Sequence, residues 1–346
     1  MTSESIYLST PSIKLAQNKV SNDDIIEMVK SNFKGSKIEF KKITSGINYI
    51  FNYCDSKNRF LGMADGKRPL DYAVEASLEC CKNNSVSVNE IDVLIYGGIY
   101  REYFEPATAM EVANKMGIKK IYAFDITTAC AGLLQSVIVA KSLMESNKNI
   151  RNILCCSTDF PDAAIDFDIQ TFAELSEKGA GLTLGSAASA WILSRKAFEK
   201  GSLRIVETSN ASFPETYDIC QVPISNKKFT SMSKQIFDLG VEHIPAEIIE
   251  IANKANWKLE EINHFVSHQP GKKIIEKVCG KLKVDIKKAP VIHHLFGNTV
   301  NSTLPMTIDF LNNSNQLKND DKIIMNTAAA GFTVVTLAGV WEKVKN

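Results

Sequence analysis

The chain has 346 residues, 45 % of them hydrophobic and 23 % charged, an ordinary globular composition with room for two domains or two cores. Lysine plus arginine number 40 against 39 acidic residues, a formal net charge of +1, which argues against a general nucleic-acid binder. The cysteines show no C-x-x-C metal knuckle, no uncharged apolar run reaches membrane-spanning length, and Met1-Thr2-Ser3-Glu4-Ser5 lacks a leader pattern, so a cytoplasmic protein with free thiols is expected.

Strand and helix signals alternate along the chain, which predicts α/β architecture. Leu70 to Lys82 reads as a helix with Ala73, Val74, Ala76, Ser77 and Leu78 near one face. Asp92-Val93-Leu94-Ile95-Tyr96-Gly97-Gly98 reads as a buried strand ending in a turn. From Cys130 to Met144 the chain is apolar on nearly every side of a helix, which belongs in a core. Ile153 to Ser157 and the small, apolar stretch Leu182 to Leu193 fit further interior strands. Phe265-Val266-Ser267-His268 and Ile323-Ile324-Met325 are later short strands. Helix, acidic turn and strand occur around Val88-Asn89-Glu90 and again around Leu259-Glu260-Glu261. This repetition hints at a duplicated fold, with halves 1–200 and 201–346 meeting near residues 200–210.

Cys130 is placed in the first turn of the apolar helix, after Thr127 and Thr128. The dipole and free amides of a helix N-terminus favour thiolate and lower a cysteine pKa. Ala131 and Gly132 would leave space for an incoming group. The other seven cysteines read as inert packing residues. His268 stands where a strand breaks into a turn, in Ser267-His268-Gln269-Pro270-Gly271, and Asn298 follows a glycine in His294-Leu295-Phe296-Gly297-Asn298-Thr299. His243, His264, His293 and His294 read as structural.

Ala129-Cys130-Ala131-Gly132, His268-Gln269-Pro270 and Gly297-Asn298-Thr299 resemble, in order and at similar separations, the three active-site motifs of the ketoacyl-ACP synthase III branch of the thiolase superfamily. Ala330-Gly331-Phe332-Thr333 resembles its final glycine-rich motif, and Ser45-Gly46-Ile47 its N-terminal Thr-Gly-Ile segment. The resemblance implies a five-layered α/β/α/β/α fold of two similar halves, the first carrying Cys130 and the second His268 and Asn298. It implies a dimer, a homodimer or a pairing with a homologous subunit, and acyl-CoA or acyl carrier protein as substrate, with no resident cofactor or metal. In its chemistry Cys130 becomes acylated, the N–H groups of Cys130 and Ala330 form an oxyanion hole, and His268 and Asn298 stabilise the enolate of a second thioester, giving a β-keto product.

Several segments depart from that pattern. Asn48-Tyr49-Ile50-Phe51 stands where arginines are usual, Gly271 replaces an asparagine, and Ala328-Ala329-Ala330-Gly331 replaces a glycine run without a cysteine. The divergence suggests specialised metabolism. Glu105-Pro106-Ala107-Thr108 resembles a segment of the enzymes that join two acyl chains head to head, in which the glutamate acts as a base in the partner's site. Glu105 is therefore either such a base or the cap of a helix starting at Pro106. Lys272 and Lys273 are either a docking site for an acidic carrier protein or a solvated helix face. The rival functions are an acyltransferase using a non-thioester acceptor and a non-catalytic partner subunit.

Overall fold

Ten strands hydrogen-bond into one mixed sheet in the computed structural model, which describes residues 4–344. The leader reading therefore lies partly outside the described residues. In chain order the strands are β1 (Tyr7–Ser9), β2 (Ser12–Leu15), β3 (Val93–Tyr96), β4 (Tyr122–Asp125), β5 (Asn152–Asp159), β6 (Ala187–Ser194), β7 (Ser202–Ser212), β8 (His264–Ser267), β9 (Lys322–Ala329) and β10 (Thr333–Glu342). The antiparallel pair β1–β7 forms a seam. Outward on one side run β1, β6, β5, β3 and β4, and on the other β7, β10, β9 and β8, while β2 pairs with β6 off this path.

The two runs repeat one connectivity. In each, the first strand lies at the seam with the last strand antiparallel beside it; the next-to-last comes after that, and the second pairs parallel with it. The first run adds β4 outside β3. The second strand of each run follows a short 3₁₀ turn, Val88–Glu90 or Leu259–Glu261, which is the repetition seen in the sequence.

Side-chain alternation along these strands sorts the apolar residues into layers. Val93 and Ile95 join Ile153, Cys155, Trp191, Ile323, Met325 and Leu337 around two inner helices, α4 (Gly132–Ser146) and α7 (Thr303–Asn313). The alternate residues Leu94, Tyr96, Leu154 and Ile192 pack outward on α2 (Pro69–Asn83) and α3 (Thr108–Lys115). Phe265, Ile324 and Val334 pack outward on α5 (Ser233–Lys254) and α6 (Lys272–Leu282). Outer helices, the β1 side of the sheet, the inner helices, the β7 side of the sheet and outer helices make the five α/β/α/β/α layers. Helix α4 is central because Leu133, Leu134, Val137, Ala140 and Met144 are all buried, each such burial contributing about 1–3 kcal/mol.

One more helix, α1 (Lys37–Cys54), covers a separate apolar cluster. Its buried residues Ile43, Ile47 and Phe51 recur every fourth position. Ser45-Gly46-Ile47 therefore lies in mid-helix, with Gly46 packed against Phe172 and Leu175.

Candidate active site

Cys130 occupies a single 3₁₀ turn, Ala129–Ala131, between β4 and α4. Ala129 has φ +43°, a left-handed backbone that a residue with a Cβ adopts at a cost of roughly 1–3 kcal/mol. The turn then meets Gly97 backbone to backbone: a Cβ on Gly132 would lie 2.0 Å from the Gly97 carbonyl oxygen, and one on Gly97 2.5 Å from that of Gly132. Gly132 is thus required by packing at the end of β3. The expectation that it leaves space for an acyl group is corrected.

Asn301 fastens this turn from the other half of the chain. Its Nδ2 donates to the Ala129 carbonyl at 3.0 Å and its Oδ1 accepts the Leu133 N–H at 3.0 Å. Nδ2 also donates to Asp159 Oδ2 at 3.1 Å, the same oxygen that takes the Asn301 N–H at 3.3 Å. Asp159 Oδ1 accepts the Ile99 N–H at 2.8 Å. No motif in the sequence marks Asn301 or Asp159, and Gln269 stands out only as a neighbour of His268.

His268 follows β8, and its N–H donates to the Asn326 carbonyl on β9 at 2.8 Å. The next residue of β9, Thr327, donates from Oγ1 to the Cys130 carbonyl at 3.2 Å. Adjacent residues of one strand therefore hold the histidine loop and the cysteine turn. Gln269 fixes the loop further: its amide oxygen, Oε1, accepts the N–H groups of Ile292 and His293 at 2.8 and 3.1 Å, and its Nε2 donates to the Pro290 carbonyl at 2.9 Å. Asn298 continues that segment. Its N–H donates to Thr183, its carbonyl accepts from Gly185, and its Oδ1 accepts the Val300 N–H at 3.0 Å, which leaves Nδ2 available to a ligand. Gly297 allows this approach with φ +69°, where a Cβ would meet the Thr183 carbonyl oxygen at 2.5 Å and Arg59 Cβ at 3.0 Å. Arg59 itself is buried on Asn58–Leu61, over the Phe51 ring.

The electrostatics correct the thiolate expectation. Cys130 is half-buried between the inner-helix core and the α1 cluster. Burial pushes its thiol well above the ordinary value, nearby Cys220 and Asp159 add to this, and its own backbone N–H opposes it only weakly. Helix α4 begins at Gly132, so the cysteine stands ahead of the first helical turn, and burial is the largest influence on its thiol. His268 is 8 % exposed, and burial, then His293, hold its pKa at about 4, with the Val300 carbonyl opposing. Burial thus favours the neutral thiol at Cys130 and the neutral imidazole at His268.

Other expectations fall differently. Ala330 lies in the β9–β10 turn, half-buried beside Gly331 at φ +63°. Glu105 is exposed and is no helix cap: α3 begins at Thr108, and the Thr108 and Ala109 amides donate to Asp125 at 2.8 Å each. No hydrogen bond or ion pair among the described residues joins Glu105 to Cys130. Lys272 and Lys273 open α6; Lys272 Nζ lies 3.7 Å from Asp55 and Lys273 Nζ 2.8 Å from Glu276. Gly271 has no asparagine's side chain because Cys54 fills that space, 2.9 Å from where a Cβ would be. Among the described residues no group of three His, Cys, Asp or Glu side chains could hold a metal, and no helix is long and apolar enough to cross a membrane.

The architecture is a thiolase-like condensing-enzyme fold. A 3-oxoacyl-[acyl-carrier-protein] synthase III of Aquifex aeolicus superimposes with TM-score 0.82 at 20 % identity, covering 97 % of this chain and 99 % of its own. OleA of Xanthomonas campestris, solved with lauric acid and lauroyl-CoA, superimposes with TM-score 0.86 at 18 % identity, covering 98 % and 100 %. In sequence, β-ketoacyl-[acyl-carrier-protein] synthase III of Clostridium novyi is 25 % identical over 326 residues, 91 % of this chain and 93 % of that protein. The Clostridium botulinum (strain Okra) protein of the same name is 26 % identical over 291 residues, 81 % and 86 %. Residues 124–212 match the 3-oxoacyl-[acyl-carrier-protein (ACP)] synthase III family and residues 252–341 its C-terminal part, together just over half of the chain. This chain belongs to that family of condensing enzymes.

Proposed function

We propose that the protein joins two acyl thioesters by a Claisen-type condensation through an acyl-Cys130 intermediate. The observation that carries the reading is the pairing on β9, where Asn326 receives the His268 N–H and Thr327 reaches the Cys130 carbonyl. In the first half-reaction the Cys130 sulfur attacks the donor thioester, its proton passes to the neutral imidazole of His268, and the donor thiol leaves with a proton. The N–H groups of Cys130 and Ala330 hold the tetrahedral oxyanion. In the second, Asn298 Nδ2 and His268 donate to the carbonyl of the other thioester as its enolate forms, by loss of carbon dioxide from that thioester or of its α-proton to a base, and that carbon displaces the Cys130 thiolate, which takes up a proton. A β-keto thioester and free Cys130 result.

Acyl-CoA or acyl carrier protein supplies the thioesters, and the chemistry needs no resident cofactor or metal. The free Nδ2 of Asn298 favours condensation over transfer to a non-thioester acceptor. Residues 1–200 then supply the nucleophile and 201–346 the two donors. The enzyme serves specialised metabolism, on the strength of its departures at Gly271 and in α1. Tyr103 and Phe104, the latter 88 % exposed, directly precede Glu105 and suit a dimer in which Glu105 enters the partner's site as a base. Incubating the protein with a panel of acyl thioesters and weighing it intact tests the reading. A mass increase equal to the acyl group, mapped to the Cys130 peptide, is expected; no adduct with any donor would end it.

A further inference from the structure

The two inner helices begin alike. Before α4 stands the 3₁₀ turn Ala129–Ala131, and before α7 the 3₁₀ turn Val300–Ser302. Each turn opens on a residue with a side chain in left-handed backbone, Ala129 at φ +43° and Val300 at φ +53°. A β-branched residue there is a strong outlier, held only where its surroundings over-determine it. Cys130 and Asn301 are the second residues of their turns, so Asn301 occupies in one half the place that Cys130 occupies in the other. Its side chain is turned inward: Asn301 and Asp159 are each 3 % exposed.

We infer that Asn301, anchored by Asp159, is a positioning residue for Cys130: it holds Ala129 in its left-handed conformation and so aims the sulfur. The inference rests on the reading of Cys130 as the acyl acceptor. Asn301 uses its whole side chain for the task. One amide end takes the N–H of Leu133, just after the turn, and the other donates to Ala129, just before Cys130. The cysteine is thereby bracketed by one carboxamide. Asp159 sets the direction of that amide by accepting both its Nδ2–H and its backbone N–H, and it ties the node to the Ile99 segment. Without the bond to its carbonyl, Ala129 relaxes toward negative φ, and the thiol turns away from the attacking line. Displacement on the order of 1 Å is enough to cost roughly 100-fold in rate.

The test compares wild type, Asn301→Ala, Asp159→Asn, Asn301→Ala/Ala129→Gly and Cys130→Ala in single-turnover acylation by an acyl-CoA, read by intact mass. Asn301→Ala and Asp159→Asn should acylate about 100-fold and about 10-fold more slowly than wild type. The acyl-CoA concentration giving half-maximal rate should change less than about threefold, since the donor's contacts are untouched. Glycine lowers the cost of left-handed backbone at position 129, so the double variant should regain at least about tenfold over Asn301→Ala. A residue that only stabilised the fold would give no such recovery. If wild type acylates at Cys130 while both single variants, with native circular dichroism, acylate within threefold of it, or if glycine restores nothing, the positioning role is overturned. If wild type forms no adduct, or Cys130→Ala still forms one, it is the reading of Cys130 that fails.

Discussion

The turn before α4 and the turn before α7 are the same piece of backbone used in opposite ways. Both are 3₁₀ turns that open on a positive-φ residue and feed an inner helix. The first leaves its second side chain, Cys130, half-exposed between two apolar clusters. The second buries its own, Asn301, and spends its side-chain polar atoms on the first turn, on the start of α4 and on Asp159. The repeated connectivity supplies two similar turns at the starts of the inner helices, and the proposed positioning has the second stiffen the first.

The sharpest way to break the comparison is to remove the exposed member. Cys130→Ala should lower turnover by at least about 10⁴-fold, the scale on which removing a nucleophile acts. Its melting temperature should stay near wild type, because a half-buried thiol loses little packing. Unchanged pathway output with this variant would instead assign the protein a structural part beside a catalytic homologue. Asn298→Ala should come next, with turnover reduced about 10²–10³-fold, since one oxyanion-type donor contributes about 3–4 kcal/mol. Cys130 should still acylate in that variant, because Asn298 acts on the second thioester. Loss of acylation as well would move Asn298 into the first half-reaction.

How much of this was legible follows from how local each signal is. The inner helix α4 was readable because its apolar residues surround the axis, and the repeated acidic turns were readable because each spans three residues. Cys130, His268 and Asn298 enter as candidates through their motifs alone. What failed was short or non-local. The helix α1 around Ser45-Gly46-Ile47 shows only in the buried i, i+4 series Ile43, Ile47, Phe51. Gly132 was credited with making space when its partner, Gly97, lies on another element. The thiol's raised pKa depends on burial by two clusters, which no local pattern displays. Asn301 and Asp159 are 142 positions apart, and nothing near either announces the bond.

Backbone fit gives the next effect. Gly297→Ala places a Cβ 2.5 Å from the Thr183 carbonyl oxygen at a φ of +69°. A loss of about 2–4 kcal/mol is expected by chemical denaturation, from strain and overpacking together. Because the same glycine presents Asn298, turnover should fall with stability; a stable but inactive variant would show that only the presentation, not the fold, depends on it.

Acid stability sharpens the electrostatic contrast. Burial holds His268 and His293 at about 4, so the unfolded chain takes up their two protons near pH 6.5 while the folded chain refuses them until about pH 4. Their contribution is complete above pH 6.5 and is lost as pH falls, about 3 kcal/mol for each histidine. Asp159 acts oppositely: burial pushes it up to about 6, so the folded chain binds that proton first and gains about 3 kcal/mol as pH falls below 6. These three groups together leave a net loss of roughly one histidine's worth between pH 7 and pH 4. His293→Gln should flatten that difference, read from denaturant midpoints at the two pH values. A variant that stays as acid-sensitive as wild type would place the sensitivity elsewhere.

The smallest effect belongs to the lysines at the start of α6. A helix N-terminus carries partial positive charge, so Lys272 and Lys273 sit where cations are disfavoured, offset only in part by Asp55 and Glu276. Their side chains are more than a third exposed, so these ion pairs add little stability. Such placement makes sense if an anionic partner completes the neutralisation. Reversing Lys273 to glutamate should leave stability within about 0.5 kcal/mol of wild type. It should raise the KM for an acyl carrier protein donor about five- to tenfold at low salt, and by less near 0.5 M salt, as surface charges become screened. The KM for a small acyl-thioester donor should not move. If both donors were affected equally, the lysine would be acting on the mouth of the site itself, and a solvated helix face would remain the better description if neither were.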